Sequence, residues 1–299
     1  MKEHDPQKIL VTGAAGFIGR ATCAELRRQG AEFVGFDRIQ TEDSEAVDLS
    51  DPNAAAQLFR SKSFGAVIHL AALLPSASAA NPFHATQMNV CASIALLETA
   101  VASGVRRFIF GSSTSVYGSM GLTVPIAEDT PAAPSDTYGG AKRFVEIVGE
   151  NLSQKRAIEF SALRIATVVG PGARNTSSPW RSELFEKLGT ERPQQITLPY
   201  CGEDLLTVVH VEDVARMLVA MACSEALTSC VYNTPAELCK AEDLKRWVET
   251  ADRNVKVVLG GRSRPLAPLA DGRKFAMGFD FKMTSIEKRL RSAAGKTSD

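Results

Sequence analysis

The sequence predicts an α/β fold, a doubly wound parallel sheet with a small C-terminal lobe, and three observations carry that expectation. Short apolar runs alternate with segments of helical periodicity through the first half of the chain. A glycine-punctuated turn joins the first apolar run to the first helical segment, where a crossover unit needs a tight turn. After Gly170 the alternation gives way to GPGARNTSSPW, dense in Gly, Pro, Ser and Asn.

Taken in order, the apolar runs at 8–12, 32–36, 66–70, 107–110 and 160–165 read as strands, being too short and too rich in β-branched or aromatic residues for helices. The segments between them, 16–29, 53–61, 84–103 and 138–154, carry apolar residues three and four apart and read as helices. Further on, 205–211 and 212–222 read as a strand and helix returning to the main sheet. A short strand at 230–233, a helix at 240–251 and a terminal helix from Ser285 follow. Residues 1–170 are thus expected to form the main domain, with 205–235 returning to it, while 171–204 and 236–299 build the lobe.

Composition narrows the function. The 299 residues hold 34 Lys plus Arg against 34 Asp plus Glu, a formal net charge of zero, and 44% are hydrophobic. A basic footprint for phosphate backbones is missing, so neither nucleic acid nor an anionic membrane surface is the expected partner. No apolar run approaches the roughly 18 residues of a membrane span, and the charged start MKEHDPQK leads straight into KILVTG. A cytoplasmic protein acting on a small molecule is expected. Six cysteines, Cys23, Cys91, Cys201, Cys223, Cys230 and Cys239, show no metal-ligand spacing and read as mostly buried reduced thiols; no metal is expected.

Gly13, Gly16 and Gly19 recur every third residue where the first strand meets the first helix. That spacing allows a tight turn, close approach of backbone to a pyrophosphate and close helix packing, and the helix end offers free N–H groups to phosphate. Asp37, ending the second strand in VGFD, can accept from both hydroxyls of an adenosine ribose and would repel a 2′-phosphate. NAD is therefore favoured over NADP, although Arg38 beside it could hold a phosphate. The expected cofactor contacts are Gly13, Ala15, Gly16, Phe17, Ile18, Gly19, Asp37, Arg38, Asp48, Leu49, Leu70, Ala71, Ala72, Asn89, Tyr138 and Lys142. His69 reads as a satisfied histidine at a strand end.

Tyr138 and Lys142 stand four residues apart at the start of a helix and project from one face. A phenol ordinarily loses its proton near pH 10, and an adjacent ammonium is expected to lower that value. Ser113, 25 residues before the tyrosine and just past a strand, supplies a hydroxyl that can hold a substrate oxygen against it. Together the three suit proton transfer at an alcohol while NAD exchanges a hydride with the same carbon.

These motifs carry a resemblance: GAAGFIG at 13–19, Asp37, HLAA, the run from NVCASIALLE through FIFGSS at 89–113, SVYG, YGGAK at 138–142, ALRIATVVGPG and HVEDVARM. The chain resembles an extended short-chain dehydrogenase/reductase of the NAD-dependent epimerase/dehydratase family, over most of residues 8–222, with FDFKMTSIEKRL similar to the family's final helix. The resemblance implies a Rossmann-type cofactor domain with a substrate-binding lobe, NAD on Gly13, Gly16, Gly19, Asp37 and Asp48, and catalysis by Ser113, Tyr138 and Lys142. Counted back from Tyr117, Ser113 is the family's catalytic hydroxyl. Thr114 stands where the family's dehydratases carry an acid, which disfavours dehydration.

Nucleotide-sugar epimerases of the family usually carry an Arg and an Asn where this chain has Leu206 and Thr167. Losing that guanidinium weakens the nucleotide-sugar reading, although Arg174, Arg181, Arg262, Arg264 and Arg273 are candidate substitutes. The stretch after Gly170 is instead similar to members acting on sugar acids. Arg174 or Arg181 would then meet a carboxylate, and Ser76, Ser113, Thr114, Tyr138, Asn175 and Ser177 would bond hydroxyls. The leading expectation is an NAD-dependent dehydrogenase acting at a carbinol carbon of a carbohydrate-like small molecule. An epimerase that retains NAD and a non-catalytic NAD-binding regulator are the alternatives. Relatives commonly dimerise through the helices at 84–103 and 138–154, so a homodimer is expected, with Ile94, Leu97, Val101, Phe144 and Val148 facing outward.

Overall fold

The structure is a computed structural model that describes residues 8–51, 53–121, 123–155, 157–174, 177–261 and 267–295. The first half runs β1 (Ile9–Thr12), α1 (Phe17–Arg28), β2 (Phe33–Asp37), β3 (Glu45–Ala46), α2 (Ala54–Ser61), β4 (Ala66–His69), α3 (Pro75–Ala80), α4 (Pro82–Thr86), α5 (Ala92–Ala102), β5 (Arg107–Ser113), α6 (Thr137–Gln154) and β6 (Glu159–Ile165). The second runs β7 (Thr167–Val169), α7 (Trp180–Glu186), β8 (Gln194–Leu198), β9 (Leu205–His210), α8 (Val211–Cys223), β10 (Val231–Asn233), β11 (Glu237–Lys240), α9 (Ala241–Ala251), β12 (Val255–Leu259), α10 (Arg273–Gly278) and α11 (Ile286–Ala293).

Seven strands form one parallel sheet in the order β10-β6-β5-β4-β1-β2-β3. Strands β1 and β4 are buried at every residue because helices cover both faces, which is why they read as unbroken apolar runs. On one face α1 and α8 pack through Cys23, Leu26, Val214, Met217 and Leu218. On the other, Leu96, Leu97 and Val145 from α5 and α6 meet Phe108, Phe110 and Phe160. The chain reverses direction across the sheet between β1 and β4. Strand ends there diverge and leave a crevice at their carboxyl edge, the place where such sheets bind ligands.

Two corrections concern strands and helices. Strand β9 does not return to the main sheet: it pairs with β7 and β11 in a three-stranded sheet, while its successor α8 does pack on the main sheet. The helix expected at 84–103 begins earlier and carries a bulge: α4, a π-turn at Gln87–Cys91 and α5 follow one another without a break. Pro82 starts α4 early, with the Asn81 side chain capping it by accepting from the His84 N–H at 3.1 Å. The lobe also contains β8 and β12, a parallel pair, and β11, none of which the composition of that region foretold. Its own core gathers Trp180, Leu184, Ile196, Leu206, Val208, Leu244, Val257 and Ile286.

The cysteines differ too. Only Cys23 and Cys239 are buried, where burial pushes both thiols up to about 12; Cys91 and Cys223 are exposed and all six are free. Leu97, expected to face outward, is fully enclosed in the core, and Ile94, Val101 and Val148 pack partly against it. Among the described residues no helix is long and apolar enough to cross a membrane.

Candidate active site

A single cavity of about 530 Å³ runs along the carboxyl edge of the sheet, from the glycine turn and Asp37 to Ser113, Tyr138, Lys142 and Arg181. Its first end is built by backbone. Gly13 holds φ +72°, and a Cβ there would stand 2.7 Å from the Ala71 nitrogen, so only glycine lets the turn close against the end of β4. Gly16 caps α1 with no side chain bonded to the first-turn amides and no acid among the first-turn residues. Those N–H groups and the positive helix end remain available to a pyrophosphate, so the residues present fit a dinucleotide.

Asp37 lies at the same end and accepts from the Ala15 N–H at 3.1 Å and the Ile39 N–H at 3.2 Å. The carboxylate is thereby fixed with its remaining lone pairs available for ribose hydroxyls. Phe17, Ile18, Gly19, Arg38, Leu49, Leu70, Ala71 and Ala72 line the cavity as well.

At the far end, Asp136 caps α6, its carboxylate accepting from the Gly139 N–H at 2.7 Å, which sets the register that puts Tyr138 and Lys142 on the inner face. Lys142 is buried; its Nζ donates to the Gly111 carbonyl at 2.6 Å and lies 5.6 Å from the centre of the Tyr138 ring. Burial brings Lys142 down to about 8, while the Glu146 carboxylate one turn on opposes the fall. Ser113 donates its hydroxyl to Ser115 Oγ at 3.1 Å and accepts from the Ser115 N–H at 3.2 Å. Thr114, Arg174 and Arg181 line this end too.

The tyrosine departs from the sequence expectation. Burial pushes Tyr138 up to about 12, Asp136 adds to the rise, and the cation that opposes it is Arg181 rather than Lys142. Desolvation of a phenolate in this enclosed site outweighs the neighbouring charge.

Five expected contacts among the described residues stand away from the cavity wall. The Ala15 N–H is taken by Asp37. Asp48 is exposed and accepts from the N–H and hydroxyl of Ser50, which hold its carboxyl below the usual range. Asn89, buried, accepts from the Leu73 N–H at 2.7 Å and donates to the Leu73 carbonyl at 2.9 Å, so it hangs the wall rather than lining it. Ser76 and Ser177 are exposed at other surfaces, and Asn175, with Arg262 and Arg264, lies outside the described residues. Arg273 pairs with Asp271 at the surface. His69 is enclosed between the Thr12 and Ser93 hydroxyls at 2.6 and 2.8 Å.

Sequence reasoning missed a buried network behind the site. Glu146 accepts from the Ser112 hydroxyl at 2.6 Å and from Arg164 Nε and a terminal guanidinium nitrogen at 3.1 and 2.8 Å. Arg164 also donates to the Tyr117 hydroxyl at 2.7 Å, which in turn donates to Asn233 Oδ1 at 2.9 Å. The spacing of Tyr138, Lys142 and Glu146 on one helical face was the available signal. The walls Leu73, Met88, Val168 and Ala267 carried none. Among the described residues no group of His, Cys, Asp or Glu is arranged to hold a metal ion.

A profile of the NAD dependent epimerase/dehydratase family matches residues 9–255. The chain belongs to this family. It is 33% identical over 242 residues to a UDP-glucose 4-epimerase of Erwinia amylovora, covering 70% of this chain and 71% of the relative. It is 32% identical over 174 residues to one of Lactobacillus helveticus, 54% of this chain and 52% of that protein. The chain spans about half the length of the first curated relatives it matches. Among solved structures, MoeE5 in complex with UDP-glucose and NAD superimposes with a TM-score of 0.78 at 29% identity, covering 97% of this chain and 98% of that one. The UDP-glucose 4-epimerase of Thermus thermophilus in complex with NAD superimposes with a TM-score of 0.81 at 22% identity over 97% and 98%, a likeness of fold.

Proposed function

We propose that this family member epimerises a carbohydrate, oxidising one carbinol carbon with NAD that it retains and returning the hydride to the opposite face. The observation that carries the reading is that Ser113, Tyr138 and Lys142 close one end of a cavity whose other end is the glycine turn and Asp37. Curated relatives named UDP-glucose and UDP-glucuronate 4-epimerases support the epimerase over the NADH-releasing dehydrogenase that the sequence first suggested.

In this reading Gly16, Phe17 and Ile18 hold the pyrophosphate and Asp37 the adenosine ribose, and bound NAD takes up and gives back the hydride. Ser113 turns its hydroxyl from Ser115 to the substrate oxygen. The Tyr138 oxygen, as phenolate, takes the hydroxyl proton during oxidation and returns it on reduction, so atoms and charge balance over the cycle. Lys142 fixes the nicotinamide ribose and favours that phenolate once the site is filled. A homodimer through α5 and α6 is part of the same reading, supported by Phe144 and Ile147, which are 51% and 41% exposed on α6.

A second reading, a dehydrogenase of sugar acids, is favoured by Leu206, which is 3% exposed in the lobe core and offers no guanidinium to a substrate pyrophosphate. One experiment separates them. Purified protein with NAD is incubated with UDP-hexoses, uronates and aldonates, following absorbance at 340 nm and product configuration by NMR. An epimer formed without net NADH supports the first reading, stoichiometric NADH the second, and no chemistry on any substrate removes both.

A further inference from the structure

We infer that Arg181 is a specificity-determining residue that pairs with a carboxylate on the substrate, placed within a few bonds of the carbinol held at Tyr138. The inference rests on the function proposed above and names the substrate class within it: an acidic sugar rather than a neutral one.

Buried guanidinium groups elsewhere in this fold are paired. Arg107 donates through Nε to Glu159 at 2.9 Å and through a terminal guanidinium nitrogen to the carbonyls that end α8. Arg164 forks onto Glu146. Each of these inward arginines meets a carboxylate, as the cost of a buried charge demands. Arg181 does not. Its Nε is buried without a hydrogen-bond partner, and no carboxylate lies within ion-pair distance among the described residues. Its ring contact is with Trp180, 5.8 Å from the guanidinium carbon to the ring centre.

The side chain is nonetheless set in place. The Arg181 N–H donates to the Ser178 carbonyl at 3.2 Å, and its own carbonyl accepts from the Gly170 N–H at 3.0 Å. The neighbouring Ser182 hydroxyl bridges the Gly170 carbonyl at 2.9 Å and the Ala173 N–H at 2.8 Å. The backbone bonds thus hold at the cavity wall a guanidinium that no carboxylate neutralises, which is preorganisation for an anion. Burial holds the guanidinium below its ordinary range, the reverse of Arg164, whose carboxylate partner raises it.

Three observations choose the anion. Arg181 lines the cavity together with Tyr138, and its charge is felt there by Tyr200 and Tyr138, so the bound anion sits beside the reacting end and not at the adenosine end. Among the described lining residues the other arginine at this end, Arg174, is exposed and solvated, leaving Arg181 as the one half-buried guanidinium, which matches a single carboxylate better than a pyrophosphate. Asp37, the acid among the described lining residues, stands at the opposite end, and Asp136 beside Tyr138 is outside the lining and engaged by the Gly139 N–H.

The test uses the full chain loaded with NAD, with Arg181→Met and Arg181→Lys. Calorimetry measures binding of glucuronate against glucose, gluconate against glucitol, and UDP-glucuronate against UDP-glucose. In the unaltered protein at least one acid binds about thirty-fold or more tightly than its neutral partner. Arg181→Met erases the difference and Arg181→Lys keeps part of it, while NAD affinity stays within about twofold and the melting temperature without ligand does not fall. The free and UDP-linked pairs identify which form carries the carboxylate. Equal binding of acid and neutral partners overturns the inference, as does loss of NAD affinity in Arg181→Met, or a lower melting temperature with the acid preference intact. Hydride transfer is scored separately in Tyr138→Phe. Acid binding without any turnover would reject the proposed function and leave the role of Arg181 standing.

Discussion

Lys142 Nζ donates to the Gly111 carbonyl at 2.6 Å, which fixes the helix carrying Tyr138 to the strand that ends at Ser113. With the Ser112 hydroxyl donating to Glu146 one turn further along the helix, two buried bonds, and not the long connection between the two elements, hold the phenol near the serine hydroxyl. Replacing Tyr138 with Phe leaves those bonds and the glycine turn untouched. Turnover falls by roughly a thousand-fold, while NAD affinity, read by fluorescence titration, changes little.

The same ammonium sets an upper pH limit. Lys142 sits near about 8, so its charged form dominates below that value and is lost above it. The expected kcat/KM profile turns down above about pH 8. Because Glu146 opposes the fall, Glu146→Gln moves that limb to lower pH. It also lowers the melting temperature, since Arg164 loses its buried partner, but the displaced limb is an effect that instability alone does not produce.

Asp37 is held by two backbone N–H groups and faces the adenosine end. Asp37→Ser removes its charge and two acceptors while keeping a hydroxyl. NAD affinity drops by roughly tenfold or more, and NADP, repelled by the carboxylate, gains relative to NAD. Paired titrations with both cofactors read the ratio directly.

His69 supplies an acid-sensitive joint between β4 and its neighbours. Enclosure brings it down to about 3 from an ordinary 6.5, so the folded state keeps the ring neutral where the unfolded chain would protonate it. Its contribution is complete above pH 6.5 and lost progressively as pH falls toward 3. At pH 5 the loss is on the order of 2 kcal/mol relative to pH 7. Urea melts of His69→Gln are expected to show a smaller drop over that interval than the unaltered chain.

Phe144 and Ile147 give the proposed dimer a direct check. Phe144→Glu places a charge at the centre of the exposed face of α6 without touching the core residues Val145 and Gly149. Sedimentation shifts from dimer to monomer, with the fold retained by circular dichroism.

What could be read in advance follows from the range of the interactions. The glycine turn and the Tyr138–Lys142 pair are local patterns, and β1, β2, β4, β5 and β6 follow from alternation along the chain, whereas the two-residue β3 is too short to leave one. Asn89 was placed on a cofactor because its neighbours fit a motif. Its bonds to Leu73 depend on a π-turn that no spacing announces. The pairing of β9 with β7 and β11, and of Arg164 with Glu146, joins residues remote in sequence, as does the solitude of Arg181. A missing partner is a property of the folded neighbourhood and leaves no trace in composition.

The seam between β9 and α8 has a mechanical consequence. The strand belongs to the lobe sheet and buries Leu206 and Val208 there, while the helix, beginning at the very next residue, buries Val211 and Val214 against the main sheet. His210 stiffens the joint, its Nδ1 accepting from the Glu212 N–H at 3.3 Å and its ring edge-on to Phe185. Two lobes spliced without slack do not swing apart at this point like the leaves of a hinge. Between β7 and α7, Gly170 and Gly172 hold φ of +138° and +100°, and Arg20 of α1 donates to the Gly172 carbonyl, a second tie between the cofactor domain and the chain that enters the lobe. Arg181 lies in the chain between these two fastenings, at Gly172 and at His210, so the residue proposed to choose the substrate is braced against the cofactor domain from both directions along the sequence.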